Sequence, residues 1–127
     1  MGTRYIGGAT YFRSIGQNLL AMKSSYGFEN GYFGKNDGKS NNKVRTITTN
    51  NPEDTAREFF SRISYGGIDV SKDGVTMTQT HDGSIITFRL KTSSDGSPAV
   101  DINIEYSTHA AGIKRQKIHF AKPMEDK

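Results

Sequence analysis

His119 lies in the run Lys114-Arg115-Gln116-Lys117-Ile118-His119-Phe120. In a strand, side chains alternate between the two faces, so Arg115, Lys117 and His119 share one face and Gln116, Ile118 and Phe120 the other. An imidazole that titrates near neutrality, set beside cations, suits phosphate chemistry. Cleaving RNA without a metal requires taking the 2'-hydroxyl proton, stabilising a pentacoordinate phosphorane and protonating the leaving 5'-oxygen. His119 can carry a proton while Lys117 and Arg89 place positive charge where phosphoryl charge develops. His81, in a turn, and His109, in the last loop, are the candidates for a second proton carrier.

Other chemistries are poorly served. The three histidines have no His-x-x-His spacing and the acidic residues form no Asp-x-Asp cluster, so no metal site and no cofactor are expected. Cysteine is absent, which excludes a disulfide framework and a thiol nucleophile. Ser93, Ser94 and Ser97 lack a Gly-x-Ser-x-Gly elbow, but their hydroxyls suit phosphate binding. The glycines at 27, 31, 34 and 38 lack the Lys-Ser/Thr ending of a P-loop.

These residues need elements to hold them. Thr10 is placed to cap a helix over 11–23, with Phe12, Ile15, Leu19, Leu20 and Met22 near one face and Gly16 weakening it. Residues 26–42 read as a Gly- and Asn-rich loop, the least ordered stretch, whose Tyr26, Phe28, Tyr32 and Phe33 pin it to its own domain in preference to stacking on bases. A short strand is expected at Val44 to Thr48. Asn51 is expected to cap the clearest helix, with Pro52 at its first position and Glu53 and Asp54 in its first turn. Ala56, Phe59, Phe60 and Ile63 form its buried stripe, and Tyr65-Gly66-Gly67 stops it.

From residue 74 the period becomes two. Val75 and Met77 alternate with Thr76 and Thr78, and His81-Asp82-Gly83 reads as a hairpin turn. Ile86, Phe88 and Leu90 then oppose Thr87, Arg89 and Lys91. After a turn at 93–98, Val100, Ile102, Ile104 and Tyr106 oppose Asp101, Asn103 and Glu105. The expected architecture is α+β: N-terminal helices packed on one face of an antiparallel sheet of about four strands. The other face gathers Thr87, Arg89 and Lys91, then Asp101, Asn103 and Glu105, then Arg115, Lys117 and His119.

A chain of 127 residues makes one domain, here 1–50 as helix plus loop and 51–121 as helix and meander. Seventeen basic against thirteen acidic residues, a net charge of +4, suit an anionic partner. No apolar run approaches transmembrane length and no leader is apparent, so no stable membrane association is expected of this piece.

Four ordered motifs carry a resemblance: Phe59 to Gly67, Asp82 to Arg89, Ser93 to Ile104 and Gly112 to Phe120. Together they span about Pro52 to Ala121 and resemble the C-terminal nuclease domains of bacterial polymorphic toxins, which end contact-dependent inhibition proteins and LXG-type secreted toxins. The resemblance implies the fold shared by barnase, EndoU, colicin D and RelE, and a ribonuclease, with tRNA the favoured substrate. It also implies delivery as the end of a larger protein, action in the target-cell cytoplasm, and a cognate immunity protein. Arg89, Ser93, Lys117 and His119 carry over by position. With them we group His81 as a catalytic candidate and Lys91, Ser97, Asn103 and Arg115 as RNA-binding candidates. The cationic face predicts an acidic surface on the immunity protein.

Two other readings remain. A DNase toxin would need a metal, which the ligand pattern does not favour. A non-catalytic module for RNA or protein would use Arg89, Lys91, Arg115 and Lys117 on phosphates without chemistry.

Overall fold

The structure, a computed structural model, describes residues 18, 19, 22, 25–36, 43–80, 83–92, 96–104 and 113–123. Its elements in chain order are β1 (Val44–Thr48), α1 (Pro52–Ile63), β2 (Ile68–Asp69), β3 (Thr76–Gln79), β4 (Ile85–Arg89), β5 (Ala99–Asn103) and β6 (Gln116–Ala121).

Helix α1 begins as expected at Pro52, with Glu53 and Asp54 in the first turn and Arg62 in the last. Its cap differs from expectation. The Asn51 side chain makes no capping bond. Instead the Asn51 carbonyl accepts from Thr55 N, while the Thr49 hydroxyl accepts from Asn51 N at 3.1 Å and meets the Thr55 hydroxyl at 2.7 Å. At the other end Asn18 Nδ2 donates to the carbonyls of Ile63 (2.8 Å) and Tyr65 (2.9 Å), satisfying acceptors that a helix end leaves open. Asn18, Leu19 and Met22 are all buried. The rest of the helix expected over 11–23 lies outside the described residues, as do His81, Ser93 and His109.

Among the described residues the sheet has six strands in the order β1-β6-β5-β4-β3-β2, and it is mixed: β1 runs parallel to β6 and every other pair is antiparallel. This corrects the expectation of about four antiparallel strands. Strand β1 docks beyond β6 with Val44 opposite Lys117 and Thr48 opposite Ala121. The two-residue β2 joins the far edge through a hairpin at Asp73-Gly74. Both residues have positive φ, 55° and 77°, as a two-residue turn matched to strand twist requires. The alternation in the sequence also overruns the strand at one point: β4 ends at Arg89, leaving Leu90 and Lys91 exposed beyond it.

The core lies between α1 and one sheet face. Ala56, Phe59 and Ile63 from the helix are buried with Ile86, Val100, Ile102, Ile118 and Phe120 from the central strands. Phe59 sits at the centre of an aromatic group, with ring centroids 4.9 Å from Tyr26, 5.0 Å from Phe33 and 5.6 Å from Phe120, all in edge arrangements.

Residues 25–36 pack against this core, the remainder of the loop expected over 26–42 lying outside the described residues, and Phe33 is fully buried. Their anchor is Gln116. It is the one polar side chain on the inner face of β6, and it is 1% exposed. Its Oε1 accepts from Phe33 N (2.8 Å), and its Nε2 donates to the carbonyls of Gly31 (2.9 Å) and Lys114 (2.6 Å). A buried amide is tolerated when both its ends are bonded. Gly34 follows with φ +69°, pressed so closely on the Thr46 carbonyl that a Cβ would overlap it.

Candidate active site on the open sheet face

Strand register decides which side chains share the face opposite α1. Paired residues of neighbouring strands point the same way, so His119 belongs to the cross-strand row Thr46, His119, Ala99, Arg89. The adjacent row runs Val44, Lys117, Asp101, Thr87, Met77. Asn103 opens a third with Ile85 and Gln79. The expected face therefore exists, with Arg89, Asn103, Lys117 and His119 together on it. His119 and Arg89 stand two strands apart, about 10 Å between backbones, within reach of an arginine side chain. Arg115 lies exposed just before β6, and Lys91 just beyond β4.

Two features differ from expectation. The strand pattern implies a His119 open to solvent, yet it is 8% exposed. It keeps the predicted face, but Ala99 lies opposite it in the register and Ser97 bonds to its ring, so little of the imidazole is left to water. The second is the position of Ser97 itself. Its Oγ is 2.9 Å from His119 Nδ1. Ser97 reads from sequence as a phosphate ligand, but its hydroxyl bonds the histidine.

The turn that holds Ser97 is well tied. Thr92 N donates to the Ser97 carbonyl (3.0 Å), Gly96 N to the Thr92 carbonyl (2.9 Å), and Phe120 N to the Pro98 carbonyl (2.9 Å). The serine is thus fixed relative to the strand that bears the imidazole. A hydrogen bond at Nδ1 sets the ring plane and selects the tautomer. If Ser97 donates, Nε2 carries the proton; if Nδ1–H donates, Nε2 presents its lone pair.

Asp101 is the cross-strand neighbour of Lys117 and places one negative charge at the middle of the cationic face. The two form no ion pair; the ion pair among the described residues is Arg57–Glu53 on α1. Thr46 is a member of the His119 row that sequence reasoning did not reach, because its place there depends on β1 docking on β6. Among the described residues no group of three His, Cys, Asp or Glu side chains stands close enough to hold a metal ion. None of the described helices is long and apolar enough to cross a membrane.

The aromatic residues of 26–33, whose rings could in principle stack on bases, are engaged elsewhere. Phe33 is interior, and the Tyr32 ring is covered by Arg45 at 4.7 Å and Lys114 at 5.6 Å. Tyr26 packs its ring on Phe59.

No family model, no curated protein and no solved structure matches this chain.

Proposed function

We propose that this chain is a toxin domain with metal-independent endoribonuclease activity, with tRNA as the favoured substrate. The observation that carries the reading is the Ser97–His119 hydrogen bond, set on a sheet face that also presents Lys117 and Arg89. An oriented imidazole beside two cations is the minimum equipment for 2'-hydroxyl transesterification.

In this reading His119 exchanges a proton with the reacting oxygens, and His81 is the second proton carrier. The 2'-oxygen attacks phosphorus, the 5'-oxygen leaves with a proton, and a 2',3'-cyclic phosphate remains. Lys117 and Arg89 stabilise the phosphorane. Lys91, Ser93, Asn103 and Arg115 bind the flanking RNA, and Ser97 orients His119. The domain reaches its target cell as the end of a larger protein. A cognate immunity protein with an acidic surface covers the cationic face and associates faster at low salt.

The test is incubation of the purified chain with total tRNA in EDTA, beside His119→Ala, with products resolved on a denaturing gel. Discrete fragments ending in 2',3'-cyclic phosphate from the parent alone are expected. Intact tRNA and total RNA, with and without EDTA, would overturn the reading.

A second reading is supported by the 8% exposure of His119, which suits a structural imidazole better than one that must meet a hydroxyl. This is the non-catalytic RNA-binding module. It requires that His119→Ala leave RNA binding unchanged while alanine at Arg89 and Lys117 weakens binding and lowers its salt dependence.

A further inference from the structure

Beside the end of β4, between that strand and α1, lies a cleft of about 350 Å³ whose lining includes Arg57, Thr76, Phe88, Arg89 and Lys91. Among its described lining residues three are cationic and none is acidic. They reach it from different elements. Arg57 comes from α1, and its guanidinium lies 5.4 Å from the centre of the Phe88 ring. Phe88 is on the inner face of β4, whereas Arg89, the next residue, is on the outer face in the row of His119. The cleft therefore wraps the end of the strand, and Arg89 belongs both to it and to the open face. Gly74 forms part of its rim, where a Cβ would meet nothing within 4 Å.

The geometry points to a phosphate-binding subsite formed by Arg57, Arg89 and Lys91, which takes a backbone phosphate of single-stranded RNA next to the one held at His119. The polymer's identity rests on the ribonuclease reading; the affinity for phosphate does not. Arg57 already bonds Glu53 at 3.1 Å, but both side chains are more than half exposed. Exposed pairs of this kind are weak; both Arg57 donors bond the single oxygen Glu53 Oε2, whereas a phosphate offers the guanidinium two acceptor oxygens. Thr76 adds a hydroxyl to the wall. The strand path that results starts at His119, crosses Arg89 and turns around the end of β4 towards α1. Such a path would make cleavage depend on nucleotides on one side of the broken bond.

The test uses a short 2'-O-methyl RNA, which keeps the phosphates and removes the attacking hydroxyl. Its affinity is measured by fluorescence anisotropy over a range of salt for the parent, the double variant Arg57→Ala/Lys91→Ala, and Lys122→Ala. Lys122 lies exposed beside the start of α1, outside this cleft and outside the row of His119, and serves as the charge control. Removing one cation that neutralises a phosphate of a single strand lowers the slope of log affinity against log salt by about 0.7. The double variant, which removes two, is expected to lower the slope by about 1.4 with an unchanged melting temperature, and Lys122→Ala by about nothing. An unchanged slope, an equal fall in Lys122→Ala, or no binding by the parent would overturn the subsite and leave a solvated basic rim. If the slope falls as expected but the parent cuts no unmodified RNA, the ribonuclease reading fails and the subsite stands.

Discussion

Ser97 Oγ and His119 Nδ1 meet at 2.9 Å across 22 residues of chain, joining the turn before β5 to the outer face of β6. Removing the hydroxyl takes away the Nδ1 partner that helps to set the ring plane and the tautomer. Ser97→Ala is expected to lower kcat for RNA cleavage by about tenfold to a hundredfold with little change in KM. His119→Ala is expected to cost about 10²- to 10⁴-fold, the span of a general acid–base group. Ser97→Thr should restore most of the rate. Nitrogen chemical shifts of the imidazole would report the tautomer change in Ser97→Ala independently of activity; a merely structural serine would leave them unmoved.

Gln116→Met preserves volume but leaves Phe33 N buried without an acceptor, since Gln116 Oε1 is its partner. The Gly31 carbonyl keeps its bond from Lys114 N at 2.9 Å. One orphaned donor in the core costs about 1–3 kcal/mol. Urea denaturation is expected to show that loss with little change in the m-value. Increased hydrogen exchange should be concentrated at residues 29–35.

The Tyr26 hydroxyl is buried with no hydrogen-bond partner among the described residues. Burial raises its pKa above the usual tyrosine value. The nearby Glu58 charge adds to this, and the Arg62 guanidinium, 5.5 Å over the ring, opposes it. The unfolded chain thus ionises this phenol first. The contribution to stability is complete below pH 10 or so and is lost as pH rises through the folded-state value. Tyr26→Phe is expected to be neutral or stabilising by about 1 kcal/mol at pH 7. It should also flatten the alkaline fall in Tm, read by thermal melts from neutral pH upward.

Asp69 behaves in the opposite sense. Hydrogen bonds from the Ser71 hydroxyl and backbone N–H lower its pKa. The stabilisation is present above the ordinary aspartate value and disappears as pH falls through the folded-state one. Asp69→Asn is expected to reduce the acid sensitivity of the β2–β3 hairpin, measured by amide exchange of Ser71 and Met77 as pH is lowered.

Gly34→Ala forces a side chain into positive φ and drives its Cβ onto the Thr46 backbone. Left-handed backbone alone costs roughly 1–2 kcal/mol for a non-glycine residue. A loss of at least about 2 kcal/mol is expected in chemical denaturation, since the obstacle is main chain and cannot rotate away.

Much of the fold is legible because its signals are local. Pro52 with two acids opens α1, and strict alternation marks the two faces of β4, β5 and β6, which places Arg89, Asn103, Lys117 and His119 together. Asp73-Gly74 is an equally local hairpin signal, but so short a strand as β2 carries no period of its own to confirm it. The docking of β1 on β6 is different in kind: parallel pairing between distant segments leaves no mark in either one. Thr46 is therefore absent from the expected site. The Ser97–His119 bond, the covering of the imidazole and the use of Gln116 as an anchor depend in the same way on where loops come to rest.

Strand β6 is the last of the six to be reached along the chain, yet it lies inside the sheet between β1 and β5. Until it inserts, β1 has no strand partner and β5 has an open edge. Closing that gap joins segments far apart in sequence, so the chain has high contact order and its folding is expected to be slow. Lys117 and His119 travel on the strand that arrives last. A chain still extended, whether during synthesis or passage through a narrow channel, therefore holds no assembled face, and the proposed site exists only once β6 is seated between β1 and β5.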